Sequence, residues 1–168
     1  MLKLLKGTIV ALMIAGFTGC TSTSDIQVEA MKSEKVNLDG YKTYEIIEGS
    51  GVVDGTKRAD NLDVNAEMQQ MINAGLAKKG KTLVTKDPDF YVAYAAGTDM
   101  DAVKEKLDDA GKKTVEEKPE AAMVLILIDA ETGVIIGIST AEGEDKGLPA
   151  AESKKRLNYA IKKMLGSL

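Results

Sequence analysis

The sequence predicts an α+β domain in two layers, a mostly antiparallel sheet of about five strands covered by two amphipathic helices. Three observations predict it. Two almost wholly apolar, β-rich runs at residues 122–129 and 134–140 flank a short turn sequence. Two segments, 63–79 and 148–165, carry apolar residues at helical spacing. Three shorter strand-like runs fall between residues 26 and 96.

Taken in order, residues 26–32 alternate Ile26, Val28 and Ala30, and predict the first strand. Asp39-Gly40 signals a turn, and residues 41–48, with Tyr44, Ile46 and Ile47, predict the second strand. Residues 49–61 are rich in glycine and charge and read as a loop. The first helix places Val64, Met68, Met71, Ile72, Gly75 and Leu76 on one stripe, with Gln69, Gln70, Asn73 and Lys78 largely outside it. Asn61 or Asp63 can cap its start, and Lys78, Lys79 and Gly80 suit its end. A strand over 90–96 follows Asp87-Pro88-Asp89, and the charge-dense stretch 98–118 predicts a short helix around 100–109. The runs 122–129 and 134–140, joined by Asp129-Ala130-Glu131-Thr132-Gly133, predict a central antiparallel hairpin. The last helix sets Leu157, Ala160, Ile161, Met164 and Leu165 opposite Lys154, Lys155, Lys162 and Lys163. The resulting order is β-β-α-β-(α)-β-β-α, with an apolar helix stripe packed on an apolar sheet face.

The first twenty residues predict an address. Lys3 and Lys6 precede an apolar run from Ile9 to Phe17, then Thr18, Gly19 and the single cysteine, Cys20. That run is about half the roughly 20 apolar residues needed to span a bilayer, so it reads as a signal segment. Phe17-Thr18-Gly19-Cys20 resembles the lipobox of bacterial lipoproteins, although Leu is usual where Phe17 stands. The resemblance implies a diacylglyceryl group on the Cys20 sulfur, cleavage before Cys20 and acylation of its new amino group. The chain then divides into a removed signal peptide at 1–19, a lipidated tether at 20–25 and one domain at 26–168. Two or more acyl chains give stable anchoring where one does not. Thr21 follows the cysteine where Asp would suggest inner-membrane retention, which favours the outer membrane, with the domain facing the periplasm.

Composition narrows the function. Removal of residues 1–19 takes two lysines and no acid, leaving twenty basic against 26 acidic side chains, a net of −6. An overall acidic domain repels nucleic acid and anionic headgroups. With no Trp and only two Phe, the core rests on aliphatic residues and Met, and few stacking platforms remain for a base or sugar ring.

Several segments resemble a known family. They are Gly40-Tyr41-Lys42-Thr43-Tyr44; Ala74-Gly75-Leu76-Ala77-Lys78-Lys79-Gly80; Pro88-Asp89-Phe90-Tyr91-Val92-Ala93-Tyr94; and Ile126-Leu127-Ile128-Asp129-Ala130-Glu131-Thr132-Gly133, followed by the closing helix. In this order they resemble the bacterial lipoprotein domain of unknown function numbered 4136, across most of residues 26–166. The resemblance implies an envelope lipoprotein with an α+β domain and assigns no biochemical role. Lys81 stands where that family usually has an aromatic, and Ile135-Ile136-Gly137 where a Trp is common, which counts against an aromatic ligand pocket.

Chemistry-bearing residues are sparse. The chain has no His, which removes Ser-His-Asp and Cys-His catalysis and histidine metal sites. The run 49–57 lacks the Walker spacing, since three residues separate Gly51 from Gly55 and Thr56-Lys57 is inverted. Asp87, Asp89, Asp99 and Asp101 flank one predicted strand, with Asp108, Asp109, Glu116 and Glu117 beyond. Asp99-Met100-Asp101 alone hints at a cation loop, and a solvated acidic face is the plainer reading. Tyr41 and Tyr44, and Tyr91 and Tyr94, differ by three, so one of each pair should face the core and the other a contact surface. No cofactor is expected. The expected function is a non-enzymatic, lipid-anchored envelope lipoprotein whose periplasm-facing domain serves contact with an envelope protein or envelope maintenance. A small-molecule or lipid-binding module is the alternative, compatible with Met68, Met71, Met123 and Met164, and a carboxylate-dependent hydrolase comes third.

Overall fold

A computed structural model describes residues 23–34, 38–53, 63–97, 123–144 and 148–168. The expected signal segment, Cys20 and the helix around 100–109 lie outside the described residues. The elements are β1 (Gln27–Lys32), a 3-10 turn (Leu38–Gly40), β2 (Thr43–Ile46), β3 (Gly51–Val52), α1 (Val64–Lys78), β4 (Thr82–Leu83), β5 (Phe90–Ala96), β6 (Met123–Asp129), β7 (Ile135–Glu142) and α2 (Ala150–Ser167).

Among the described residues the strands form one seven-stranded sheet in the order β1-β7-β6-β5-β2-β4, with β3 pairing β5 beyond the end of β2. The α+β class holds, and the expected mostly antiparallel sheet of about five strands is corrected to a mixed one. Pairs β1/β7, β7/β6 and β6/β5 are antiparallel, whereas β2/β5, β3/β5 and β2/β4 are parallel. The cause is α1. It carries the chain from the β2/β3 side back across the sheet, so that β4 and β5 run the same way as β2, the arrangement a crossover helix imposes. β3 lies in the stretch read from sequence as a loop and β4 in one assigned to no element; each is two residues long and too short to show a period.

The central strands alternate cleanly. Phe90, Val92, Tyr94 and Ala96 of β5, with Leu125 and Leu127 of β6, join the helix-side core, whereas Ala95, Val124 and Ile126 belong to a second cluster on the opposite face. A bulge on β7 extends this division. The register passes from Leu127↔Gly137 to Ile128↔Ile135, so Ile136 is the extra residue. Without it Ile136 would share the face of Ile138. With it Ile136 joins the helix-side core, and Ile135 packs against the second cluster.

Both helices bury the expected stripes. Met68, Met71, Ile72 and Leu76 of α1 are buried, as are Ala160, Ile161, Met164 and Leu165 of α2. Asp63 caps α1 by accepting from the Ala66 amide at 2.9 Å. The chain leaves α1 through Gly80 at φ +75°. The helices run side by side in the same direction, with Lys154 on Glu67 at one end and Leu165 against Gly75 towards the other. Gly75 permits this approach, since a Cβ there would lie 2.3 Å from Leu165 Cδ1. No helix among the described residues is long and apolar enough to cross a membrane.

Candidate functional site

Two polar constellations sit at opposite ends of the sheet. The first gathers the starts of β2 and β5 and the end of β6. Asp89 Oδ2 accepts from the Lys42 and Thr43 amides at 2.6 and 2.8 Å, and the Asp89 amide donates to the Thr43 carbonyl and hydroxyl. These donors favour the ionised carboxylate and hold its pKa below the usual range. Asp129 closes the β6–β7 turn. Its Oδ1 accepts from the Glu131 amide, the Thr132 amide and the Thr132 hydroxyl at 3.0, 2.7 and 2.8 Å, and its Oδ2 accepts from the Tyr41 hydroxyl. That phenol, followed by the Thr132 groups, lowers the Asp129 pKa to about 2. The same bond, with burial and the Asp129 charge, raises that of Tyr41 to about 12.

Phe90 lies beneath this network, edge-on to Tyr41 at 5.8 Å and stacked on Tyr44 at 5.7 Å. Lys81, 8% exposed, donates to the carbonyls of Leu38 and Tyr41 at 2.8 and 2.7 Å, which ties the 3-10 turn to the end of α1. Its position after the helix-ending glycine was legible in the sequence. Its burial was not.

The second constellation holds the N-terminal segment. Arg156 of α2 forks onto Asp25, Nη1 to Oδ1 at 2.8 Å and Nη2 to Oδ2 at 2.5 Å, with the two side chains only 10% and 16% exposed. The Glu144 amide donates to Asp25 Oδ2 at 3.1 Å, and its carbonyl accepts from Arg156 at 3.3 Å. Asp25 was expected to belong to a tether free of the domain; it is fastened to α2. The bond to Asp25 raises the guanidinium pKa against the opposing effect of burial.

The sequence-predicted residues separate as follows. Tyr44 and Tyr94 are each 1% exposed, and their hydroxyls donate to Asn73 and Asn65 of α1 at 2.8 Å. Burial raises both phenol pKa values. Tyr44 and Tyr94 are thus the core members of the two pairs and offer no contact surface, and Asn73, read as largely outside the apolar stripe of α1, accepts from Tyr44. Tyr41 and Tyr91 are partly exposed, Tyr91 on the face away from the helices. Cys20, Asp99 and Asp101 lie outside the described residues, as do Asp108, Asp109, Glu116 and Glu117. Asp87 is exposed near Asp89, at φ +50°. Among the described residues no three acidic, cysteine or histidine side chains are placed to hold a metal ion.

What this geometry can do chemically is bind chain to chain. Asp89 and Asp129 are occupied by main-chain and hydroxyl donors from the protein itself, and Lys81 by main-chain carbonyls. Sequence reasoning missed the Arg156–Asp25 fork because a charged residue inside an apolar stripe gives no periodic signal of its partner.

Comparison with known proteins agrees with the fold. A crystal structure of a DUF4136 family protein from Bacteroides thetaiotaomicron superimposes with a TM-score of 0.58 at 9% identity, covering 84% of this chain and 95% of that one. A chain of the PelC dodecamer from Paraburkholderia phytofirmans is similar at a TM-score of 0.51 and 12% identity, covering 84% of this chain and 96% of its own. No curated protein sequence matches. The model of a domain of unknown function, DUF4136, matches residues 28–167, nearly the whole described fold, and the chain belongs to that family.

Proposed function

We propose that the chain is an envelope lipoprotein, anchored in the outer membrane through acylated Cys20, whose periplasm-facing domain acts by contact with an envelope protein and not by catalysis. The observation that carries this reading is the N-terminal sequence, a cationic start, a short apolar run and Thr18-Gly19-Cys20. The occupied carboxylates at the β2/β5/β6 end favour a scaffold over a hydrolytic site. Of the four tyrosines at 41, 44, 91 and 94, Tyr41 and Tyr91 remain available for contact. The shared fold of the PelC dodecamer makes self-association one form of contact to test.

Incorporation of labelled fatty acid and membrane fractionation of wild type and Cys20→Ser test the anchor. Wild type takes up label and sediments with membranes, and Cys20→Ser does neither. Label-free wild type would refute the anchor. In-cell crosslinking tests the contact, and recovery of no specific partner, including a second copy, across growth conditions would refute it.

A further inference from the structure

We infer that, in the anchored protein, the outward face of the helix layer lies against an anionic phospholipid surface. The inference rests on the proposed Cys20 anchor and adds an orientation to it. Although the chain is acidic overall, at −4, α2 carries five basic residues and one acid. Lys154, Lys155, Lys162 and Lys163 are exposed and recur at the spacing that keeps one helical face to the outside, with Asn158 between them. Tyr159 shares that face, with Lys163 Nζ 5.7 Å from its ring centre. At the end of the neighbouring helix Lys78 and Lys79 are exposed as well.

Among the described residues, the acids facing these six lysines are Glu67, 2.7 Å from Lys154, Glu152, 2.9 Å from Lys155, and Asp39 of the 3-10 turn, whose charge acts on Lys79; α1 and α2 carry no others. Asp63 stands at the N-cap of α1, at the far end from Lys78 and Lys79. Exposed pairs of this kind screen only part of the field, and Lys78, Lys79, Lys162 and Lys163 add to it.

The place where the chain leaves the domain makes a membrane the partner. Asp25 is clamped to Arg156 in the second turn of α2, and five residues, at most about 18 Å fully extended, connect Asp25 to Cys20. Acyl chains on Cys20 therefore enter the bilayer beside α2, whose 18 residues span about 27 Å. A lipid chain together with an adjacent basic face is the two-signal arrangement that holds a protein surface to anionic headgroups.

The test uses the full acylated protein in vesicles, with a fluorophore on Asn158→Cys in the helix face or on Glu131→Cys in the β6–β7 turn, and a quencher on lipid headgroups. With phosphatidylglycerol present, the label at 158 is quenched several-fold more than that at 131. The difference collapses in pure phosphatidylcholine, in high salt, and in K78Q/K79Q/K162Q/K163Q. Each lysine near an anionic surface favours contact roughly fivefold, so the four changes weaken the face-down preference by up to roughly six-hundredfold. These substitutions leave the Glu67 and Glu152 pairs and the Asp25 clamp intact, and an unchanged thermal transition confirms the fold.

The protein's mass separates the two readings. Unmodified Cys20 overturns the anchor and the inference together. Acylated Cys20 with equal quenching at 158 and 131, or with quenching indifferent to salt and to the four substitutions, overturns the inference alone. Helix lysines that crosslink to an acidic protein, without preferential quenching at 158, assign the face to that protein and also overturn it.

Discussion

Asp25→Ala is the change with the most informative consequence, because it removes a carboxylate from a guanidinium already taken out of water. The Arg156 side chain is 10% exposed and receives both Asp25 oxygens within 2.8 Å. Removing one partner of a buried pair costs roughly 3–5 kcal/mol, most of it from the charge left behind. Asp25 is 16% exposed and the Glu144 carbonyl still reaches Arg156, so the low end applies, about 3 kcal/mol. For a domain of this size 1 kcal/mol moves the melting temperature by about 3 °C, giving a loss near 10 °C. Arg156→Met alone strands Asp25 and costs a similar amount. Together the two substitutions leave no orphaned charge, and the double variant recovers to within about 1 kcal/mol of wild type, a coupling that a double-mutant cycle measures. Thermal unfolding of the mature protein followed by circular dichroism is the assay. Additive losses, or single losses below about 1 kcal/mol, would show that water compensates both charges and that the N-terminal segment is not fastened by this pair.

Other outcomes follow from the opposite end and the helix contact. Asp129 has its pKa depressed to about 2, so its contribution is present above the unfolded value near 3.8 and lost as pH falls through 2. Melting temperatures measured from pH 5 to pH 2 decline in wild type, and Asp129→Asn flattens that slope. Tyr41→Phe removes the largest cause of the depression, so the acid-dependent loss becomes smaller and is complete at a higher pH. Lys81→Met leaves the Leu38 and Tyr41 carbonyls without their ammonium donor and lowers stability by about 2 kcal/mol in denaturant titration. Gly75→Val forces a branched side chain onto Leu165 and costs about 2 kcal/mol; Leu165→Ala in the same chain makes the glycine substitution cheaper.

The legible parts of the fold were those with a long, single period. The 90–96 strand is found at those bounds, and the run expected at 134–140 is found at Ile135–Glu142. The amphipathic stripes of α1 and α2 and the Asp63 cap are also as the sequence implied. What the sequence hid was non-local. Parallel pairing arises from where α1 returns the chain, and β3 and β4 exist only because β5 and β2 offer edges beside them. The spacing of Tyr41 and Tyr44 implied opposite orientations, yet it could not show that the outer phenol finds Asp129, 88 residues away. Nor could Asp25, read as part of a polar tether, announce Arg156 at a separation of 131 residues.

The segments that carry the family resemblance, apart from the closing helix, converge in space, and their convergence bears on function. Residues 40–44 lie against 88–90, Asp129 reaches Tyr41, and Lys81, directly after Gly80, binds the carbonyls at 38 and 41. These contacts join α1, β2, β5 and the β6–β7 turn into one knot, in which the Asp129 carboxylate, Asp89 Oδ2, the Tyr41 hydroxyl and the Lys81 ammonium are each spent on another part of the chain. A sequence signature of this kind identifies how the sheet is closed at one end. It is compatible with many partners, because fold and function are separable and function belongs to the surfaces a fold presents. The lysine face of α2 lies outside this knot. Its four lysines are exposed and touch no element of the sheet signature, so they can vary without disturbing the fold. Differences in what DUF4136 domains contact should therefore be sought on the helix layer and at the N-terminal exit, and substitutions in the knot should change melting temperature while leaving membrane orientation as it was.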